Sequence, residues 1–434
     1  MRKMIKMSLA AVMIIGVGSV SAQAEGVDIL SNIKADGQVR ARYEMVDKDN
    51  TTPNANAFTN RLAIGVGADL LGTDWLSAYA QMTDVRALND NYNDLSADNG
   101  VENHQAVADA EQTRLTQAYI DVKMGKTKLR MGRQVINLDN QRFVGAVDWR
   151  QMPQTFDAYT ITDSTIENLN LFASYVNQVN RVFADDAGAY AKNWDTRTLL
   201  LNGSYKAMDE LKVTAYGYLI GEGTGNLATG GFGSDTYGLA LTGGVKVSDG
   251  VKVDYRAEYA TQTDPSMENS GSNTNIEVDA DYMNFTLDAD VSGFLVGAQY
   301  EVLSGGNDGA GGDTAFSTPL ATLHAHNGYG DMFLATPTEG LEDLAFTLGY
   351  KSKEFGMLKA TYHDFTSDVD SIDYGTELDV VYTRAIPGVN GLNGMLKFVD
   401  YDAESGTATL GTGGIANVDM TKFVAMLDYK FATK

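Results

Sequence analysis

The sequence predicts an all-β chain closed into a transmembrane barrel of about eighteen antiparallel strands, with sixteen as the alternative count. Three observations carry this. Apolar and polar residues alternate with a period of two in segment after segment. The segments reach the ~9–11 residues that cross a bilayer at a tilt. The connections between them alternate short and long. The final segment is the plainest: Phe423, Ala425, Leu427, Tyr429 and Phe431 are apolar, while Lys422, Asp428 and Lys430 lie between them. One face suits lipid and the other suits water.

The chain opens with Arg2, Lys3 and Lys6, an apolar run from Leu9 to Val20, and Ala22-Gln23-Ala24. A charged start, a short apolar stretch and a small-x-small site predict a signal peptide over 1–24. The remainder, 25–434, reads as one barrel domain, because no linker or composition break divides it. No other segment approaches the ~20 apolar residues of a spanning helix. There is no cysteine, hence no disulfide framework or thiolate site.

The first strand, 37–46, alternates Gln38, Arg40, Arg42 and Glu44 with Val39, Ala41, Tyr43 and Met45. The second, 58–71, sets Leu62, Ile64, Val66, Ala68 and Leu70 against Arg61, Ala63, Gly65, Gly67 and Asp69. The same reading places strands at 75–86, 113–124, 127–135, 154–162, 168–177, 194–206, 210–220, 235–248 and 250–262. The remaining seven fall at 278–290, 292–303, 341–352, 356–366, 374–385, 392–402 and 419–431. Connections after even-numbered strands are brief, such as Gly72-Thr73-Asp74 and Gly125-Lys126. Those after odd-numbered strands are mostly long: 47–57, 87–112, 136–153, 178–193, 221–234, 263–277, 304–340 and 403–418. Short turns then face the periplasm, long loops face outward, and both termini lie inside.

The formal charge is −24, and losing Arg2, Lys3 and Lys6 takes it to −27. Such acidity argues against nucleic-acid binding. The 45 Gly and 22 Tyr with only 6 Pro suit many strands and aromatic belts rather than a disordered chain. Eleven of the thirteen mature arginines lie between Arg40 and Arg197. Arg40, Arg42, Arg61 and Arg130 fall on inward positions, Arg114 near a strand end, and Arg142 and Arg150 in the third long loop. A basic wall or constriction is expected, with Glu44, Asp69, Asp254, Glu258, Glu301, Glu377 and Asp379 as acidic counterparts. Equally, such charges can pair across strands and merely solvate the lumen.

The third long loop also carries Phe143, Val144, Val147, Asp148 and Trp149. That much apolar surface predicts that the loop folds inward and narrows the pore. The loops 87–112 and 304–340 carry acids and no Lys or Arg, so the acidity is expected outside. Asp94-x-Ser96-x-Asp98 begins like a calcium loop, but Gly100 is one place late and no twelfth-position Glu follows. His324 and His326 could share a strand face, without a flanking carboxylate to make a metal site. His363 and Asp364 are neighbours on a strand and point to opposite faces, so they form no dyad. No Ser elbow, phosphate loop or zincin helix is present. Neither an enzyme nor a cofactor is expected. At Arg133 the alternation slips toward lipid, through a bulge or because the strand has left the membrane.

The stretch from Gln117 to Tyr159 carries Gln117-Ala118-Tyr119, Gly132-Arg133-Gln134, Asn140-Gln141-Arg142-Phe143-Val144-Gly145, Asp148-Trp149-Arg150-Gln151 and Thr155-Phe156-Asp157-Ala158. It resembles the alginate-export family of bacterial outer-membrane porins and related porins without an alginate role. The resemblance implies a monomeric eighteen-stranded barrel, and for exporter members an arginine-rich pore passing an anionic polysaccharide. Taken together, the expected function is a porin in the bacterial outer membrane. Small hydrophilic solutes or ions would diffuse passively through its constricted, water-filled lumen. The alternatives are a selective channel for anionic sugars or polysaccharide, and a non-conducting adhesin. The expected partners are outer-membrane lipid, lipopolysaccharide and the barrel-assembly machinery. Whether the barrel is a monomer or a trimer stays open.

Overall fold

Alternation turned into geometry gives eighteen strands, here β1 to β18. The structure, a computed structural model, describes residues 23–24, 27–96, 103–185, 191–221, 233–267, 278–306, 314–404 and 418–433. The first six strands are β1 Leu30–Lys48, β2 Ala55–Leu70, β3 Leu76–Ala87, β4 Gln112–Met124, β5 Thr127–Gln134 and β6 Thr155–Asp163. The next six are β7 Leu169–Asn180, β8 Asn193–Met208, β9 Leu211–Ile220, β10 Ser234–Ser248, β11 Val251–Thr263 and β12 Asp279–Val291. The last six are β13 Phe294–Ser304, β14 Gly340–Ser352, β15 Gly356–Thr366, β16 Asp373–Ala385, β17 Leu392–Ala403 and β18 Met420–Ala432. Each pairs antiparallel with its neighbours in sequence, and β18 closes on β1 through a ladder from Met420↔Lys48 to Ala432↔Asp36. Closure leaves no edge strand, so the ladders pair the spanning backbone without water.

The count of eighteen holds and sixteen does not. Most boundaries agree within a few residues, but β1 begins at Leu30 rather than 37. Asn32 adopts φ +49 and the register shifts between Ser31 and Lys34, which interrupts the period-two pattern there. Short turns rest on glycines in the left-handed region. Ser292 (φ +53) and Gly293 (φ +94) join β12 to β13, and a Cβ on Gly293 would lie 2.5 Å from the Lys351 carbonyl oxygen. That turn needs glycine both for its conformation and for space. Among the described residues no helix is long and apolar enough to cross a membrane, and one 3₁₀ turn, Leu323–Ala325, lies between β13 and β14.

Outward faces are apolar and exposed: Leu239 and Leu241 on β10, Phe285 and Leu287 on β12, Phe346 and Leu348 on β14, Leu396 and Phe398 on β17. They form the lipid-facing band. Inward faces are polar yet buried, including Arg40, Arg42, Glu44 and Arg61. Something inside the barrel covers them. The buried apolar core therefore lies within the lumen, where Phe143 and Phe316 pack with Tyr216, Tyr218 and Tyr282.

The register of β5 is unbroken through Arg133, although Gly132 adopts φ +123; bulges lie nearby, at Thr116 in the adjacent β4 and, two strands away, between Gln178 and Val176 in β7. One residue after Arg133, β5 ends. Arg133 holds Asp157 through two bonds of 2.7 and 2.9 Å, so the outward charge is paired at the barrel rim.

Candidate functional site

The segment between β5 and β6 enters the barrel and spans it. At one end Phe143 packs against the tyrosines of β9 and β12. Buried Arg142 bonds Glu301 of β13 at 3.0 Å, Asn327 at 2.9 Å and Thr318 at 3.3 Å. At the other end Asp148 receives Arg61 of β2 at 2.5 Å and lies 3.7 Å from Arg40 of β1. Arg40 also donates to the Asp148 carbonyl at 2.7 Å, and Arg42 to the Trp149 carbonyl at 2.5 Å. Arg150 reaches Glu44 of β1 at 3.2 Å. The side chains that the sequence marked as a basic wall thus hold a loop to that wall.

A second long segment, between β13 and β14, meets the first in mid-lumen. The two join at Gly145, whose N–H donates to the Leu320 carbonyl at 2.9 Å. A Cβ there would lie 2.2 Å from Thr322 Oγ1, so the close approach demands glycine. The Trp149 ring stacks on His324 with centroids 3.4 Å apart and planes 5° from parallel. Arg42, Arg150 and Lys397 surround that ring at 4.2, 4.6 and 5.0 Å. The second segment is anchored by Asp331, which accepts from Lys422 at 2.8 Å and Arg150 at 3.2 Å. Its Tyr329 and Gly330 N–H groups donate to Asp379 and Glu377 of β16 at 3.0 and 2.8 Å.

His324 sits between opposite demands. Lys397 Nζ lies 2.6 Å from Nε2, and Asp331 Oδ1 lies 2.6 Å from Nδ1. The ammonium has only protons to offer, so Nε2 accepts and Nδ1–H donates to Asp331, which defines a neutral imidazole. Burial pushes the His324 pKa well below its ordinary value, and Lys397 pushes the same way against Asp331. Burial works against the Asp331 carboxylate, but His324, Lys422 and Arg150 together hold it well below the usual range.

Of the residues singled out in the sequence, Arg40, Arg42, Glu44, Arg61, Asp148, Trp149 and Arg150 converge at this junction, and Arg142 anchors the same loop opposite. Three stand apart. Asp69 accepts from Asn32 at 2.7 Å near the short turns. Arg114 donates to the Arg181 and Phe183 carbonyls near the outer rim. Arg130 grips Asp121 with two 2.7 Å bonds beneath the Tyr119 ring. Each is held by its own neighbours, too far along the strand or around the wall to reach the loops.

The expectation that loop acidity lies outside is corrected. Asp109 of the β3–β4 segment reaches Arg42 at 2.8 Å, and Asp331 sits among lumen cations. Unpaired arginines inside a low-dielectric lumen attract acids from whichever segments can reach them. His324 lies on a 3₁₀ turn rather than a strand face. Asp94 accepts from the Ser96 N–H at 2.9 Å, a local turn, while Asp98 lies outside the described residues. His363 turns inward to Asp343 at 2.8 Å, and Asp364 faces outward. The sequence reading missed Lys397 and Lys422. Both occupy inward positions of the last two strands, and only β18–β1 closure places them beside the first-strand arginines. The closing alternation of β18, with Lys422 on the polar face, was the available signal.

A closed eighteen-stranded barrel with an apolar outer band and a lumen narrowed by its own loops defines a porin of the bacterial outer membrane. The family model described as "Alginate export" matches residues 32–308, and the chain belongs to that family. No curated protein is matched by sequence. Among solved structures, Acinetobacter baumannii OccAB4 aligns with a TM-score of 0.67 at 15% identity, covering 93% of this chain and 99% of the other. Pseudomonas aeruginosa OccK8 (OprE) aligns at 0.67 and 14% identity, covering 93% and 99%. Pseudomonas aeruginosa OpdK, solved with vanillate, aligns at 0.67 and 12% identity, covering 93% and 100%. At such identities the likeness is one of fold.

Proposed function

We propose that the β5–β6 and β13–β14 segments form the constriction of a passive channel for small hydrophilic solutes. The single observation that carries this is the Trp149–His324 stack, where two loops from different parts of the chain meet inside the barrel. A wide eighteen-stranded lumen needs a filling or a lining, and these loops supply most of it. The protein acts as a channel and carries out no catalysis. Residues 1–24 are a signal peptide and the remainder is one barrel domain. Lipopolysaccharide and lipid surround it, and the assembly machinery inserts it.

Selective passage of anionic sugars or polysaccharide is the second reading, favoured by family membership and by the cations on β1, β2, β17 and β18. The pairing of those cations supports the general porin over it. Arg40, Arg42, Arg61, Arg142 and Arg150 each face at least one carboxylate, which cancels much of the field an anion would feel. Conductance and reversal potential of the purified barrel in a planar bilayer under a KCl gradient decide between them. Weak ion selectivity is expected. A strong anion preference would replace the general-porin reading with the anionic one. Absence of current in a folded barrel would overturn both.

A further inference from the structure

The arginine wall is closed by its loop, so the open space lies elsewhere. Beneath the 3₁₀ turn of the β13–β14 segment, against the inner faces of β12 to β16, lies a recess of about 150 Å³. A cavity of that order holds a six-carbon ring. Its lining differs in kind from the arginine wall. One row of directly paired inward positions runs Asp288, Gly297, Thr347, Thr361, Asp379 across five strands. The adjacent row begins Thr286, Gln299, Ala345, His363. Apart from His363, which is bonded to Asp343, these are small, hydroxyl-bearing or amide-bearing residues, with a carboxylate at each end of the first row.

Glycine helps to keep the row open. A Cβ on Gly297 would lie 2.2 Å from Asp288 Oδ1 and 3.4 Å from the Thr347 Cβ. From above, His326, Asn327 and Tyr329 close the recess, and Lys359 enters from β15. Several polar groups here have no protein partner. His326 Nε2 is sealed from solvent and unpaired. Among the described residues, the Gln299 and Asp288 side chains make no hydrogen bond beyond the sheet pairing of their backbones, and Asp288 and Lys359 form no ion pair within 4 Å. The recess therefore combines the Asp288 carboxylate, the Gln299 amide and the Lys359 ammonium, which attracts Asp288 and lies 5.9 Å from the Tyr329 ring centroid, with Asp379 and His363 beside them.

We propose that this recess is a subsite for a neutral polyhydroxylated solute, a sugar or sugar alcohol of about one ring, on the passage through the lumen. A hydroxyl group both donates and accepts, so one ligand satisfies Asp288 as donor, and Lys359 and Gln299 as acceptor. An organic anion would meet Asp288 and Asp379 as like charges. An organic cation would meet Lys359. The inference rests on the channel reading and names the class of solute that the passage favours.

The test uses the full-length barrel in a planar bilayer in KCl, with D-glucose added to one side. Glucose is expected to reduce the ionic current with a saturable concentration dependence. The paired substitution Thr347→Val with Thr361→Val keeps side-chain size and removes two hydroxyls. It should raise the half-blocking glucose concentration at least several-fold while leaving the KCl current close to wild type. Gln299→Leu provides a second variant should the first fail to fold, as judged by heat-modifiable migration. Glycine and sodium benzoate serve as zwitterionic and anionic probes. Saturable block by either of these alone, or glucose block that is linear and indifferent to both variants, would overturn the subsite. KCl current without saturable glucose block sinks the subsite and spares the channel, whereas a folded barrel without KCl current sinks both.

Discussion

Two walls of one lumen behave differently. Along β17, β18, β1 and β2, inward positions are long and charged: Lys397, Lys422, Arg40, Arg42 and Arg61. Along β12 to β16 the inward charges are mainly acids, among them Glu301, Asp343, Glu377 and Asp379, with short neutral residues such as Thr286, Gly297, Thr347 and Thr361 between them. Both walls hold buried charge, cationic on the first and mainly acidic on the second, and the recess borders the hydroxyl-bearing stretch of the second. Charge inside a low-dielectric enclosure is costly alone, so it gathers partners, and the partners arrive on loops. Hydroxyls carry a smaller penalty and leave space. The arginines that look like a solute path in the sequence are the fastening of the plug.

Removing the fastened element is the severest way to break this contrast. Deletion of Asn140 to Trp149 should raise single-channel conductance about two- to threefold, since side chains alone do not fill a barrel this wide. Unchanged conductance in a heat-modifiable barrel would mean that the loop does not narrow the path.

Next comes Arg142, fully buried against Glu301. Arg142→Ala leaves that carboxylate uncompensated, at a cost of about 3–5 kcal/mol to the docked loops. Faster proteolysis within 136–153 and noisier current should follow. Wild-type protease resistance would show that Phe143 packing holds the loop without the ion pair.

Replacing Arg40, Arg42 and Arg61 together by Gln should shift the reversal potential toward cations. The shift should exceed that expected from three isolated charges, because Asp148 and Asp109 lose their arginine partners at once and Glu44 keeps only Arg150. Partial release of the loop would add conductance. If selectivity and conductance both stay at wild type, those arginines contribute neither fastening nor field.

The smallest effect concerns pH and the His324 seat. The docked imidazole is neutral because burial lowers its pKa, whereas an undocked histidine titrates near ~6.5. Below that value the undocked state binds the extra proton, so docking weakens as pH falls, by at most about 1.4 kcal/mol per pH unit. Asp331 keeps its charge throughout this range and adds no slope. Current fluctuations should therefore increase from pH 7 to pH 5, and His324→Gln should flatten the dependence. A wild-type trace without pH dependence over that interval would remove His324 from the docking equilibrium.

Much of the architecture is a one-dimensional property. Period-two alternation and short-long connections specify the barrel because each strand must show one face to lipid and one to water, a demand met residue by residue. β18 is legible from Phe423 to Phe431 alone. The inward fold of 136–153 is legible too, since Phe143, Val144 and Trp149 together are too apolar for an outer loop. What the sequence could not settle was which charges meet. Lys422 lies 380 positions after Arg42 in the chain but on the neighbouring strand in the closed barrel. Asp331 and Asp109 sit in acidic stretches that read as solvated surface until the loops turn inward. His324, bonded to Asp331 in its own segment, finds Trp149 only across the lumen. Strand register follows from local hydrophobic order; the pairing of buried charges follows from closure and loop path, and these exist only once the barrel is complete.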